Sequence, residues 1–369
     1  MSPASGLNLL LTGGTGFLGS RVVWALWQRG AGLWLLHRRD RPPAMRAHIA
    51  TLAGLFGGSL RPETPLPSWV PGNLWLPRAG VMPEWIERHR GRFDAIIHMA
   101  ADTRIRPVRS EDQTQTNLDG TVHMAELAEA LGVKRFHHVS TCSVAGTAQG
   151  TFTEQDLDVG QSFRTHQEWT KCEAERALRR ISEVRGLTVT IHRPAILIGD
   201  SVTGGASAFP HFYQFLSAWR FLAETGIGGQ RVTLPFSGEA TLHLIPVDHV
   251  ASGIACALCD DEAEGLTHHW TPREPVTLGE LNLALAKLLR AEPVDLDPSA
   301  SWPASRRSGP AQPLWEWMRS HRAYLTGGIR FSRENADRLC ARAGLEVPKI
   351  DGALLQRLHR HWAWATGKI

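Results

Sequence analysis

The start of the chain most constrains what it can fold into. An apolar run at residues 7–11 leads straight into TGGTGFLG at 12–19, residues 21–29 continue with helical spacing, and a second apolar run follows at 32–37. Strand, glycine turn, helix and strand make a βαβ unit, whose strands run parallel with a right-handed crossover. Glycines at 13, 16 and 19 answer three demands: a tight bend, close backbone approach to a pyrophosphate at a positive helix N-terminus, and close packing of helix on strand. The turn, comprising Thr12, Gly13, Thr15, Gly16, Phe17, Leu18 and Gly19, is expected to bind a dinucleotide.

The end of the second apolar run refines that expectation. An acidic residue there would bind the ribose 2′-hydroxyl of NAD and repel a 2′-phosphate, but this chain has His37, Arg38 and Arg39. Guanidinium groups hold a phosphate in charge-assisted forks. NADP(H) is the cofactor expected, with Arg38 and Arg39 on the phosphate.

A stretch punctuated by Pro62, Pro65, Pro67 and Pro71 follows; its Leu-rich start has helical character, and the whole of 41–71 reads as a surface excursion. Alternation then resumes, with helices at 83–90, 115–131 and 162–184 and strands at 95–99, 135–140 and 188–192. This predicts an α/β fold, a Rossmann-type doubly wound parallel sheet with a smaller C-terminal substrate lobe. The expected division is a core over 1–195 and a lobe over 196–369, with 240–260 returning to the core. Within the lobe, Thr277 and Glu280 read as a capping box opening a helix at 278–290, Ser332 as the cap of a helix ending before Gly344, and 297–312 as a Pro/Ser/Arg-rich loop.

Composition excludes several classes. With 369 residues, 43% hydrophobic and 21% charged, the chain can bury a large core. Its net charge of +4 is too diffuse for a nucleic-acid groove. The five cysteines are odd in number and scattered, which suits reduced thiols in a cytoplasmic protein; Cys256 and Cys259 lack a second pair or a following His, so no metal site is expected. No apolar run approaches the ~20 residues of a membrane span.

Seven ordered segments resemble the extended short-chain dehydrogenase/reductase superfamily: TGGTGFLGS (12–20), HMAAD (98–102), Asn117 in NLDGT, VSTCSVAG (139–146), Lys171 in WTKCEAE, HRPAILIGDSVTGG (192–205) and IPVDHVA (245–251). Within it, LLHRR and PGNLWLPRAGV (71–81) are similar to the branch of thioester reductase domains and fatty acyl-CoA reductases, with Asn73 where the branch has Asp. The resemblance implies that Thr141 hydrogen-bonds the substrate carbonyl and that Lys171 holds the nicotinamide ribose. It also assigns Asn73, Leu74, Ala100, Ala101, Asn117 and Pro194 to cofactor binding. The partner it implies is a small-molecule or carrier-bound acyl group, and assembly as a homodimer is compatible with it.

One element of the family pattern is missing. The family tyrosine lies four residues before the lysine, and that position is Gln167; residues 165, 166, 168 and 169 offer no phenol either. A Gln amide can donate a hydrogen bond to an oxyanion but cannot transfer a proton. Losing general acid catalysis costs about 10²- to 10⁴-fold, whereas one oriented oxyanion donor contributes about 10²- to 10³-fold. Two readings follow. One is an NADPH-dependent reductase of an acyl thioester or the derived aldehyde, working with Thr141, Lys171 and an atypical Gln167. The other is a redox-silent homologue that releases a thioester by cyclisation or acts as a binding protein. His166 is a candidate proton relay, Tyr213 a candidate substitute phenol, and Cys142 a candidate acyl acceptor whose strand alternation turns it away from Thr141. The His137/His138 and His268/His269 pairs read as packing residues. Phe212, Phe215 and Trp219, with Trp315, Trp317, Trp362 and Trp364, are equally compatible with an acyl pocket and with plain core.

Overall fold

The computed structural model describes residues 4–38, 43–60, 64–105, 109–225, 233–301, 322 and 328–367. Its centre is a parallel sheet of seven strands: β1 (Asn8–Thr12), β2 (Gly32–His37), β3 (Ser68–Pro71), β4 (Ala95–His98), β5 (Arg135–Val139), β6 (Thr188–Pro194) and β7 (Thr267–Trp270). Across the sheet they lie in the order 7-6-5-4-1-2-3. The strand order reverses between β1 and β4, which opens a crevice at the carboxyl ends of these strands.

Helices cover both faces. The first is α1 (Phe17–Gln28), followed by α2 (Met45–Phe56), α3 (Pro83–His89), the short α4 (Glu111–Thr114), α5 (Gly120–Leu131) and α6 (His166–Arg185). The later helices are α7 (Phe212–Thr225), α8 (Val247–Ala257), α9 (Leu278–Leu289), α10 (Glu334–Ala343) and α11 (Gly352–Ala365). On one face Val22, Val23 and Leu26 of α1 pack with Val250 and Ile254 of α8 against Leu9, Leu11 and Ile97. On the other, Met124, Leu127 and Leu131 of α5 meet Leu10, Ile96 and Phe136. A separate cluster joins Phe215, Trp219, Leu281, Leu285, Leu355 and Trp362 from α7, α9 and α11.

The excursion after β2 is more ordered than its prolines suggest. Its Leu-rich start forms α2, and residues 68–71 pair with β2 as the sheet edge. An edge strand needs amide donors on one side only, so a proline at its end is tolerated. The helix at 115–131 divides into a π-helical turn, Gln115–Asp119, and α5. The capping box closes as expected, with Glu280 N–H donating to Thr277 Oγ1 at 3.1 Å and Thr277 N–H to Glu280 Oε2 at 2.8 Å. Ser332 does not cap α10. The residue before the helix is Arg333, without a side-chain cap, and the buried Glu154 carboxylate accepts Asn335 N–H at 2.6 Å and Ala336 N–H at 3.1 Å. A distant carboxylate serves as well as a local one, because orphan amides need only an acceptor. Residues 302–312 of the Pro/Ser/Arg-rich loop, Trp315 and Trp317 lie outside the described residues.

Candidate active site

The glycine turn is shaped by contacts that exclude side chains. Gly13 has φ +70°, and a Cβ there would lie 2.7 Å from Ala100 N; a Cβ on Gly19 would lie 2.0 Å from Gly13 O. Thr12 Oγ1 accepts Met99 N–H and Ala100 N–H, each at 3.1 Å, and lies 2.7 Å from His98 Nδ1. With its lone pairs engaged, the hydroxyl donates to His98, and the carboxyl ends of β1 and β4 are tied together. Helix α1 begins at Phe17 with no side-chain cap and no acidic residue in its first turn, so its amides are available to a phosphate. The turn fits a pyrophosphate on these grounds. Thr15 is exposed, whereas Leu18 and Gly19 are buried in the first turn of α1.

At the adenosine end, Arg38 is exposed and its guanidinium lies 5.8 Å from the Trp75 ring centre. Trp75 Nε1–H donates to Thr116 Oγ1 at 2.9 Å, and Asn73 Oδ1 accepts Trp75 N–H at 3.2 Å. Leu74 O is bonded by His123 Nδ1 at 2.7 Å. Arg39 lies outside the described residues.

The carboxyl ends of β5 and β6 and the start of α6 carry the reactive groups. Thr141 lies two residues past β5 and caps the turn Cys142–Ala145, its Oγ1 accepting Ser143 N–H at 3.2 Å. Its hydroxyl proton remains available for a carbonyl. Thr165 caps α6 through Glu168 N–H at 3.3 Å, which sets the register of Gln167 and Lys171, one turn apart. Lys171 is 2% exposed; Nζ donates to Val139 O at 2.7 Å and lies 3.2 Å from His138 Nε2. Burial lowers the Lys171 pKa to about 8, partly opposed by the Glu175 charge.

A cavity of about 400 Å³ joins these groups. Its lining includes Gly13, Gly16, Phe17, Leu18, Gly19 and Ala101 of the cofactor region, Thr141, Gln167, Lys171 and Pro194, and the apolar Phe212, Phe215, Leu281 and Phe331. Asn117 is buried elsewhere in the fold: it accepts Asp102 N–H at 2.7 Å and donates to Asp102 O at 3.1 Å and Thr170 Oγ1 at 3.0 Å, bracing the loop after β4 against α6. His166 bonds Thr114 Oγ1 at 2.9 Å and stacks on Trp169 at 5.1 Å.

Two sequence candidates are spent on structure. The Tyr213 hydroxyl accepts Gly199 N–H at 3.0 Å, burial raises its pKa, and the residue is not among those lining the cavity. Cys142 Sγ donates to Arg193 O at 3.1 Å and burial raises its pKa, which removes the thiolate a nucleophile needs. Trp219 and Trp362 are core, while Phe212 and Phe215 both pack in that core and line the cavity.

Contacts around Lys171 and Thr141 were not evident in the motifs. Ser140 donates to Glu175, which also accepts Arg193 Nη2 at 2.7 Å and Nε at 3.0 Å; Glu175 and Arg193 are fully buried. His138 faces Lys171, whereas its neighbour His137 bonds His192 Nε2 at 3.1 Å on the opposite face. A double histidine in an otherwise apolar strand is itself a signal, since buried imidazoles require partners.

A glycine betaine reductase of Emericella nidulans is 26% identical over 96% of the chain, and a hybrid PKS-NRPS synthetase of Acremonium sp is 24% identical over 91%. The chain spans only 28% and 8% of these two relatives. Among solved structures, the terminal R domain of the myxalamid PKS-NRPS biosynthetic pathway superposes with TM-score 0.82 at 23% identity, covering 98% of this chain and 92% of that one. A thiolation-reductase di-domain from an archaeal non-ribosomal peptide synthetase gives 0.71 at 17%, covering 98% and 91%. The family model described as male sterility protein matches residues 11–254, and the chain belongs to that family, within the extended short-chain dehydrogenase/reductase superfamily.

Proposed function

We propose that this chain is an NADP(H)-dependent reductase of an acyl thioester, carried on CoA or a carrier protein, or of the derived aldehyde. One observation carries the reading: a single cavity is lined by the glycine turn, by Thr141, Gln167 and Lys171, and by aromatic and aliphatic side chains. Relatives named as PKS-NRPS synthetases, and a structural neighbour described as a thiolation-reductase di-domain, support a carrier-bound substrate. Arg38, exposed just after β2 where a 2′-phosphate would be held, supports NADP(H) over NAD(H).

When bound, the nicotinamide supplies hydride to the acyl carbon. The chain's own groups then stabilise what that attack creates. The Thr141 hydroxyl donates a hydrogen bond to the oxyanion, and the Gln167 amide is the second donor. Phe212, Phe215 and Leu281 exclude water from the acyl chain. The amides at the start of α1 hold the cofactor's phosphates. A thioester tolerates the absent phenol better than a ketone does, because its tetrahedral oxyanion collapses by expelling sulfur.

A single-turnover assay with an acyl thioester tests this. Equal amounts of NADPH oxidised and aldehyde formed are expected. Release of product with NADPH unchanged would favour non-redox thioester release, the reading that the Gln167 position keeps alive.

A further inference from the structure

Reduction of a thioester consumes one proton, and the group that normally delivers it is absent from this chain. The hydride forms the new C–H bond and the C–S bond breaks. The sulfur leaves with that electron pair and must be protonated to a thiol.

Around Lys171 the arrangement is specific. An ammonium has three N–H donors. Val139 O takes one at 2.7 Å and His138 Nε2 lies 3.2 Å from Nζ to take another; the third has no protein partner among the described residues, and the side chain lines the cavity. His138 cannot turn away, being fully buried in a central strand and stacked at 5.5 Å on His98. The tautomers follow from the partners. His98 Nδ1 receives the Thr12 hydroxyl proton, so His98 Nε2–H donates to Thr121 Oγ1 at 3.1 Å. His138 Nε2 receives Lys171, so its proton resides on Nδ1. Both rings are held neutral, His98 with its pKa lowered to about 3 and His138 well below the ordinary value, burial being the main cause for each. The titratable groups around the ammonium are thus these two neutral imidazoles on β4 and β5 and Glu175 one turn along α6.

Resting on the reductase reading above, we infer that the Lys171 ammonium is the proton donor that replaces the missing phenol, and that His138 is the positioning residue that keeps this ammonium charged and aimed into the cavity. Lys171 gives its proton to the departing sulfur, and the neutral amine is reprotonated from water entering the cavity. His138 acts through the lysine and touches no substrate.

The test reads the lysine directly. The chain has only five lysines, at 134, 171, 287, 349 and 368, so ¹⁵N-lysine labelling gives few signals, and Lys171→Met identifies the one of interest. In the cofactor-free protein, His138→Phe removes an acceptor and is expected to lower the Lys171 titration midpoint by about one pH unit. His138→Gln, which keeps an acceptor, is expected to restore most of it. The alkaline limb of kcat/KM for NADPH-linked thioester reduction is expected to move with that midpoint in each variant. An unmoved midpoint in folded His138→Phe protein overturns the role of His138. A midpoint that moves while the alkaline limb stays overturns Lys171 as the donor. Absence of NADPH-linked turnover at every pH, with the titration behaving as expected, sinks the reductase reading and the proton assignment with it.

Discussion

Glu175 and Arg193 form an ion pair with both side chains fully buried and an Nη2–Oε2 distance of 2.7 Å. The pair ties α6 to β6, and through Ser140 it tethers the strand end that presents Thr141. Removing one partner of a buried pair leaves an uncompensated charge and costs about 3–5 kcal/mol. Glu175→Ala is therefore expected to lower unfolding free energy by about that amount in urea titrations, and Glu175→Leu combined with Arg193→Met by much less. A loss under about 1 kcal/mol in the single variant would contradict the assignment.

Gly19 has no room for a side chain, since its Cβ would sit 2.0 Å from Gly13 O. Gly19→Ala must displace the turn from the position that approaches a phosphate. NADPH affinity is expected to fall about tenfold or more, equivalent to roughly 1.4 kcal/mol, by calorimetry. Wild-type affinity in the variant would show that the turn does not contact the nucleotide.

Arg38 is the described cation at the end of β2. A charge-assisted hydrogen bond contributes about 1.5–3 kcal/mol, so Arg38→Ala is expected to weaken NADPH binding roughly tenfold or more while NADH binding changes little. Equal losses for both coenzymes would remove the 2′-phosphate from the account.

Among the described histidines with depressed pKa values, five are lowered far, chiefly by burial: His98, His137 and His269 to about 3, His249 and His268 to about 4. Above the ordinary value of 6.5 both folded and unfolded chains hold them neutral, and they contribute no pH dependence. Below it the unfolded chain binds protons that the fold refuses, so stability falls with pH by about 1.4 kcal/mol per unit for each group, down to the folded pKa. Against a total of roughly 5–15 kcal/mol, this predicts a steep decline in Tm between pH 6.5 and 5. A flat Tm across that window would mean that these rings are protonated in the fold.

Local signals in the sequence anticipated the parts of the fold that short-range rules govern. The strand–glycine–helix opening, the αβ alternation and the Thr277/Glu280 box depend on neighbours a few residues apart. Features governed by distant partners were not visible. Strand β3 forms despite Pro71 because β2 offers a free edge, and α10 is capped by Glu154 rather than Ser332. Motif resemblance located Thr141, Gln167 and Lys171, and the cavity brings all three together. It did not reveal that Lys171 meets His138, or that Asn117 spends its amide on Asp102 and Thr170, because those contacts join segments separated by tens of residues. Tyr213 illustrates the converse: an aromatic near the expected pocket proves to be committed to a backbone amide.

The most direct measurement follows the hydride itself. Incubation with an acyl thioester and NADPH deuterated at the transferring position, followed by mass analysis of the product, should give an aldehyde, or the alcohol derived from it, carrying deuterium from the coenzyme. A released product with no deuterium and an undiminished pool of reduced coenzyme would contradict the account.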